Sequence, residues 1–219
     1  MAPPKRISRT ALTAQLAGRK LVTRYAPSPT GYLHLGHLLN AIYVWGVARA
    51  MDGEVILRLE DHDRNRCRPE YETAILEDLE RLGLVPDRGS FSEFRAGSTT
   101  YRQSSVPEVY AREWAKLKEN GLGYVCACSR KQIKARTGQP DGEEIRYDGF
   151  CRKRGLEDGP DRALRIRLED MEFVFDDLLV GRQVHHPQRQ SGDVVLRDRK
   201  QNWSYQFCGA TTGGRGSIR

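Results

Sequence analysis

The sequence predicts an α/β fold built on a parallel sheet, and three observations carry that expectation. Two segments of strand character, residues 21–25 and 54–60, each precede a segment with apolar residues at helical spacing. Strand, helix, strand, helix in that order produces right-handed parallel βαβ units. Hydrophobic residues make up 38% and charged residues 30% of the 219 positions, which fits a folded chain rather than a disordered one. After Gly123 the composition turns polar and cysteine-bearing with short strand-like runs, so a second, partly β region is expected.

Each element follows from local chemistry. Residues 21–25 are strand-like and run into Ala26-Pro27-Ser28-Pro29-Thr30-Gly31, where two prolines and a glycine forbid regular structure. A helix is expected over 37–51, with Leu38, Ile42 and Trp45 on its inner face and Asp52-Gly53 ending it. In 54–60 the side chains alternate: Val55, Leu57 and Leu59 share one face, Ile56, Arg58 and Glu60 the other. Pro69 suits a helix start, and Tyr71, Ile75, Leu79 and Leu82 form its stripe up to Gly83. A further helix capped by Ser104 or Ser105 turns Val106, Tyr110, Trp114 and Leu117 inward and ends at Gly121. Strands are expected at 162–168 and 172–175, and a hairpin from 193–197 and 203–207. Residues 209–219 are small, polar and glycine-rich and are not expected to pack in a core. Residues 1–20 read as a disordered basic tail without the apolar stretch of a secretory signal.

No apolar run approaches the length of a membrane span, so no membrane partner is expected and a cytoplasmic setting is. The formal net charge of +7 suits a polyanionic partner, although charge alone is a weak signal. Five cysteines, an odd number in a chain without an export signal, point to thiols or a metal site rather than a disulfide framework.

The loop between the first strand and first helix carries the clearest chemistry. A helix N-terminus offers unpaired N–H groups and partial positive charge that suit phosphate. His34 and His37 flank Leu35-Gly36 there and could donate hydrogen bonds to a phosphate whose charge is redistributing, and Gly36 permits close approach of a ring or ribose. Bare H-x-G-H spacing also describes ordinary capping residues. Farther on, Cys126-x-Cys128, Tyr147 and Cys151 offer three soft ligands and a phenol, which spacing alone leaves at even odds between a zinc site and buried thiols.

The whole string Arg24-Tyr25-Ala26-Pro27-Ser28-Pro29-Thr30-Gly31 with His34-Leu35-Gly36-His37 resembles the first signature of class I aminoacyl-tRNA synthetases in their glutamate and glutamine branch. Residues 57–63, Leu-Arg-Leu-Glu-Asp-His-Asp, resemble the family's L-R-I-E-D-T-D segment. The cysteine pattern resembles the C-x-C…Y-x3-C zinc motif of the glutamyl-Q tRNA(Asp) synthetases, which look like a glutamyl-tRNA synthetase without its anticodon-binding domain.

The resemblance covers about residues 21–207. It implies a Rossmann-type parallel sheet, here with an incomplete second half, and an inserted, partly β, zinc-bearing domain. The division expected is a basic tail (1–20), the first half of the catalytic domain (21–122), an inserted acceptor-type domain with zinc site and hairpin (123–207), and a divergent tail (208–219). It implies ATP-dependent activation of L-glutamate, with Mg2+ bridging ATP oxygens, and transfer of the glutamyl group to queuosine of tRNA(Asp) by a monomer. Arg24, Tyr25, Ala26, Pro27, Ser28, Glu60 and Tyr205 would bind glutamate. Pro27, Thr30, His34, Gly36 and His37 would bind ATP, with His34 and His37 serving the transferring phosphates. Cys126, Cys128, Tyr147 and Cys151 would hold a structural Zn2+. Arginine suits a bidentate grip on a carboxylate where lysine does not. A lysine loop of the K-M-S-K-S type is not found, so a truncated or frame-shifted product with little adenylate formation is expected. The competing readings are a glutamyl-tRNA synthetase fragment, a nucleotidyltransferase sharing the H-x-G-H loop, and a non-catalytic tRNA- or zinc-binding remnant.

Overall fold

The computed structural model describes residues 9–63, 65–97, 99–140, 145–177 and 180–213. Two compact bodies result: residues 9–110 with 205–213, and residues 111–204.

In the first body, helix α1 (Arg9–Leu16) precedes strand β1 (Val22–Tyr25). Part of the segment read as a disordered tail is therefore ordered, with Leu16 buried. Helix α2 (Leu35–Ala50) connects β1 to strand β2 (Glu54–Leu57). The strands pair in parallel, with Arg24 beside Ile56 and Tyr25 beside Leu57. Helix α3 (Pro69–Arg81), the short helix α4 (Phe91–Arg95) and a 3₁₀ turn (Gln103–Ser105) follow. Helix α5 (Pro107–Glu119) leads out of this body.

The core here is apolar: Trp45, Val55, Leu57, Leu59, Ile75, Leu79 and Phe94 are buried in one cluster. The inner face of α2 differs from the expected stripe. Ala41, Trp45 and Ala48 are buried, whereas Ile42 is exposed. Two alanines leave room for close packing, and Trp45 reaches further, donating from Nε1 to the Val85 carbonyl at 3.0 Å. Leu82, expected on the α3 stripe, is likewise exposed, because the helix already buries Ile75, Leu76 and Leu79 and closes at Arg81.

In the second body, strand β3 (Gly123–Cys126) is followed by helix α6 (Arg130–Thr137) and strand β4 (Ala163–Ile166). Strands β5 (Phe173–Asp177) and β6 (Gly181–His185) form a separate antiparallel ribbon. Helix α7 (Pro187–Ser191) and strand β7 (Val195–Arg197) complete it, and the antiparallel sheet runs β3-β4-β7.

The hairpin expected from 193–207 is corrected. Only Trp203 bridges back to Arg197. Asp198 closes a tight turn by accepting from the Asn202 backbone at 2.8 Å, and Ser204 N–H donates to the Leu196 carbonyl. The chain then leaves the sheet and forms helix α8 (Tyr205–Gly213) in the first body. Phe207 and Cys208 are buried and Arg58 donates to the Thr212 hydroxyl, while residues 209–212 of the segment read as unable to pack stay half-buried or exposed.

Candidate functional site

The parallel pairing of β1 with β2 continues past the strands as single hydrogen bonds that hold the proline-rich loop. Arg58 N–H donates to the Tyr25 carbonyl, Glu60 N–H to Pro27, and Arg68 N–H to Pro29, each at 3.0 Å. The Ser28 hydroxyl donates to the Glu60 carbonyl at 2.8 Å. A segment that cannot form a helix or strand by itself is thereby fixed at the carboxyl edge of the two strands, where open α/β sheets receive ligands.

At that edge lie Arg24, Arg58, Glu60 and Tyr205. The acidic segment is not solvated at its start: Glu60 is 2% exposed and Asp61 is buried too. Arg58 Nη2 donates to Glu60 Oε1 at 2.6 Å, and Gln103 Nε2 approaches the same oxygen at 3.4 Å. Gln103 also accepts from His62 Nδ1 at 2.6 Å. The Arg24 guanidinium donates no hydrogen bond within the described residues. Desolvation and the neighbouring Arg58 cation lower its pKa, while Glu60 and Tyr205 act in the opposite sense. Tyr205 opens α8, exposed, with its ring 6.2 Å from that of His62. The structure thus brings Arg24, Glu60 and Tyr205 together, and adds Arg58 and Gln103, which the sequence reading did not single out. The signal for Arg58 was present, since it shares a strand face with Glu60; nothing in the sequence pointed to Gln103.

His34 and His37 sit at the start of α2, both exposed. His34 caps the helix: its Nδ1 accepts from Gly36 N–H at 3.1 Å, and His37 Nδ1 accepts from His34 N–H at 3.3 Å. With each Nδ1 used as an acceptor, the neutral rings carry their proton on Nε2, leaving two outward donors. The rings lie 3.9 Å apart. Desolvation, then the neighbouring His34, lowers the His37 pKa, so both imidazoles sharing charge is disfavoured. A Cβ on Gly36 would come 3.0 Å from the His34 ring, so the glycine here first serves the cap itself. The Tyr25 hydroxyl donates to the His37 carbonyl at 3.3 Å and ties the helix start to the end of β1.

The cysteine cluster belongs to the second body. The sulfurs of Cys126, Cys128 and Cys151 all lie within 4.8 Å of one another, and all three residues are buried. Cys128 Sγ is 3.6 Å from Cys151 Sγ, and the Tyr147 hydroxyl is 3.3 Å from Cys126 Sγ and 3.8 Å from Cys128 Sγ. Tetrahedral zinc with Zn–S near ~2.3 Å separates its ligand atoms by roughly 3.5–3.8 Å, a spacing that the Cys128–Cys151 and Cys128–Tyr147 pairs have. Tyr147 is held by backbone pairing with Gly192, whose φ of +67° and 2.2 Å virtual Cβ contact with the Tyr147 carbonyl exclude a side chain. Cys67 and Cys208 lie elsewhere. Burial pushes both thiols up, Cys208 to about 12, as expected of inert thiols.

No helix among the described residues is long and apolar enough to cross a membrane. The glutamyl-Q tRNA(Asp) synthetase of Pseudomonas syringae pv. syringae is 39% identical over 188 residues, covering 85% of this chain and 57% of the relative. The glutamate–tRNA ligase of Frankia alni is 42% identical over 159 residues, covering 72% of this chain and 32% of the ligase. A crystal structure of a glutamate tRNA ligase from Elizabethkingia meningosepticum in complex with its amino acid superposes with a TM-score of 0.70 at 26% identity, covering 88% of this chain and 41% of that one. This chain therefore spans little more than half the length of the glutamyl-Q relative and less of the ligases. The family described as tRNA synthetases class I (E and Q), catalytic domain, matches residues 20–212, and this chain belongs to that family of ligases.

Proposed function

We propose that this chain carries the amino-acid and first phosphate subsites of an ATP-dependent enzyme that activates L-glutamate and passes the glutamyl group to queuosine of tRNA(Asp). The observation that carries the reading is the meeting of Arg24, Glu60 and Tyr205 at one strand edge, with Arg24 free to grip a side-chain carboxylate. Glu60, with one carboxylate oxygen engaged by Arg58, keeps the other for the substrate ammonium. Ala26, Pro27 and Ser28 form the wall beside them, and Tyr25 anchors it.

ATP would lie along Pro27, Thr30, Gly36 and the histidines. The two Nε2–H donors at the α2 start, together with the helix dipole, suit the α-phosphate as the glutamate carboxylate attacks it in line. Such chemistry needs positioning and charge stabilisation more than covalent help. Magnesium bound to ATP would neutralise phosphate oxygens. Zinc held by Cys126, Cys128, Tyr147 and Cys151 would be structural, stapling the body of residues 111–204 that holds the acceptor.

The names of the glutamate–tRNA ligase relatives favour a second acceptor, the 3′ end of tRNA. Titration of the purified chain with L-glutamate, L-glutamine and L-aspartate tests the amino-acid site: binding of glutamate, abolished by Arg24→Gln, is expected, and no preference for glutamate overturns it. Labelled glutamate with ATP and tRNA(Asp), with and without queuosine, tests the acceptor; label on queuosine-free tRNA favours the ligase reading.

A further inference from the structure

Three guanidinium groups surround the thiol–phenol cluster. Arg136 Nη2 lies 3.3 Å from Cys128 Sγ. Arg154 Nη1 lies 4.0 Å from Cys151 Sγ. The Arg165 guanidinium stacks 3.8 Å from the centre of the Tyr147 ring, on a residue that is itself buried. Arg136 and Arg154 are held by a common surface, since both lie against the Phe150 ring, at 4.2 and 5.2 Å. Two like charges converge there on adjacent sulfurs instead of separating into solvent.

Local ion pairing accounts for only part of this. Arg136 is paired with Asp148 through Nε at 2.7 Å, and its Nη2 serves both that carboxylate and the sulfur. Arg165 donates Nη1 to the Asp193 carbonyl, while its Nε is buried without a partner. A buried cation with an unmet donor is costly unless negative charge lies nearby. Three thiolates around a divalent ion carry more negative charge than the ion cancels, and an aromatic ring attracts a cation across its face.

We infer that Arg136, Arg154 and Arg165, with Phe150 aligning the first two, form a cationic shell that offsets the excess negative charge of a zinc centre built on Cys126, Cys128 and Cys151 beside Tyr147. This rests on the zinc reading above. The shell acts through the ligand atoms and not on the metal: the Arg136 and Arg154 donors take up sulfur electron density, and the Arg165 guanidinium lies across the Tyr147 ring.

The experiment measures zinc affinity of the full chain by competition with a chromogenic chelator, alongside the sulfur-to-metal charge-transfer band of the cobalt-loaded protein. Arg136→Gln and Arg154→Gln are each expected to weaken zinc by about tenfold and to shift the cobalt band, and Arg136→Lys and Arg154→Lys to recover most of the loss. Asp148→Asn, which removes the ion pair and keeps the cation, is expected to retain wild-type affinity. Glutamine variants that hold zinc within about twofold of wild type overturn the inference, as does an Asp148→Asn loss equal to that of Arg136→Gln. Wild-type protein that takes up no zinc, or Cys128→Ser and Cys151→Ser variants that bind it as well as wild type, overturn the zinc reading and the shell with it.

Discussion

The two bodies stabilise themselves by different means. The body of residues 9–110 with 205–213 has an apolar core of aliphatic and aromatic side chains, with the buried ion pair Arg58–Glu60 at the carboxyl edge of its two strands. The body of residues 111–204 also buries Val125, Leu164 and Leu196, but adds two polar centres. One cluster consists of Cys126, Cys128, Ile133, Tyr147, Cys151 and Ala163, with Ile133 its one buried branched aliphatic. Its other centre is Asp193, which receives Arg152, the Tyr124 hydroxyl and the Leu168 N–H. Burying aliphatic area stabilises without a ligand, whereas a thiol–phenol cluster contributes little until something binds it. The first body should therefore fold on its own burial, and the second should depend on its centre.

The largest expected effect breaks or upholds that contrast directly. Stripping metal with a chelator, or Cys151→Ser, should cost several kcal/mol in residues 111–204. Limited proteolysis should then cut there while residues 21–110 stay protected; equal protection of both would dissolve the distinction. In the first body, Glu60→Gln should cost about 3–5 kcal/mol in urea unfolding, because it strands the Arg58 charge in the interior. Leu79→Ala should cost about 3 kcal/mol through the cavity it leaves, without changing zinc stoichiometry.

A smaller effect sharpens the view of the polar centre. Although burial pushes the Asp193 carboxyl up, Arg152, Tyr124 and the Leu168 N–H outweigh it and hold its pKa below the ordinary aspartate value. Stability from this group is complete above the unfolded-state value and is lost as the pH falls through the lowered folded value. Acid titration of wild type against Asp193→Asn, followed by near-ultraviolet circular dichroism, should show that acid-dependent loss in wild type alone. Smallest of all, Ser129→Ala should cost about 1 kcal/mol, since Ser129 caps α6 by accepting from Gln132 N–H and Gln132 reaches back to Ser129 N–H.

Sequence alone determined the parallel βαβ start, the loop at its carboxyl edge and the Cys126–Cys128 pair, because each depends on local chemistry: alternation, proline and glycine constraints, and residues of one type at short spacing; Cys151 joined that pair only in the fold. Tertiary structure decided what depends on partners distant in the chain. Alanines rather than Ile42 face the core because the packing distance to the sheet favours small side chains. Residues 205–213 became helical because Phe207 and Cys208 could be buried in the first body, a choice that strand-like local pattern cannot register. Gln103 joined Glu60, and three arginines converged on the thiol cluster, because charge and burial are properties of the folded neighbourhood and not of any stretch of sequence.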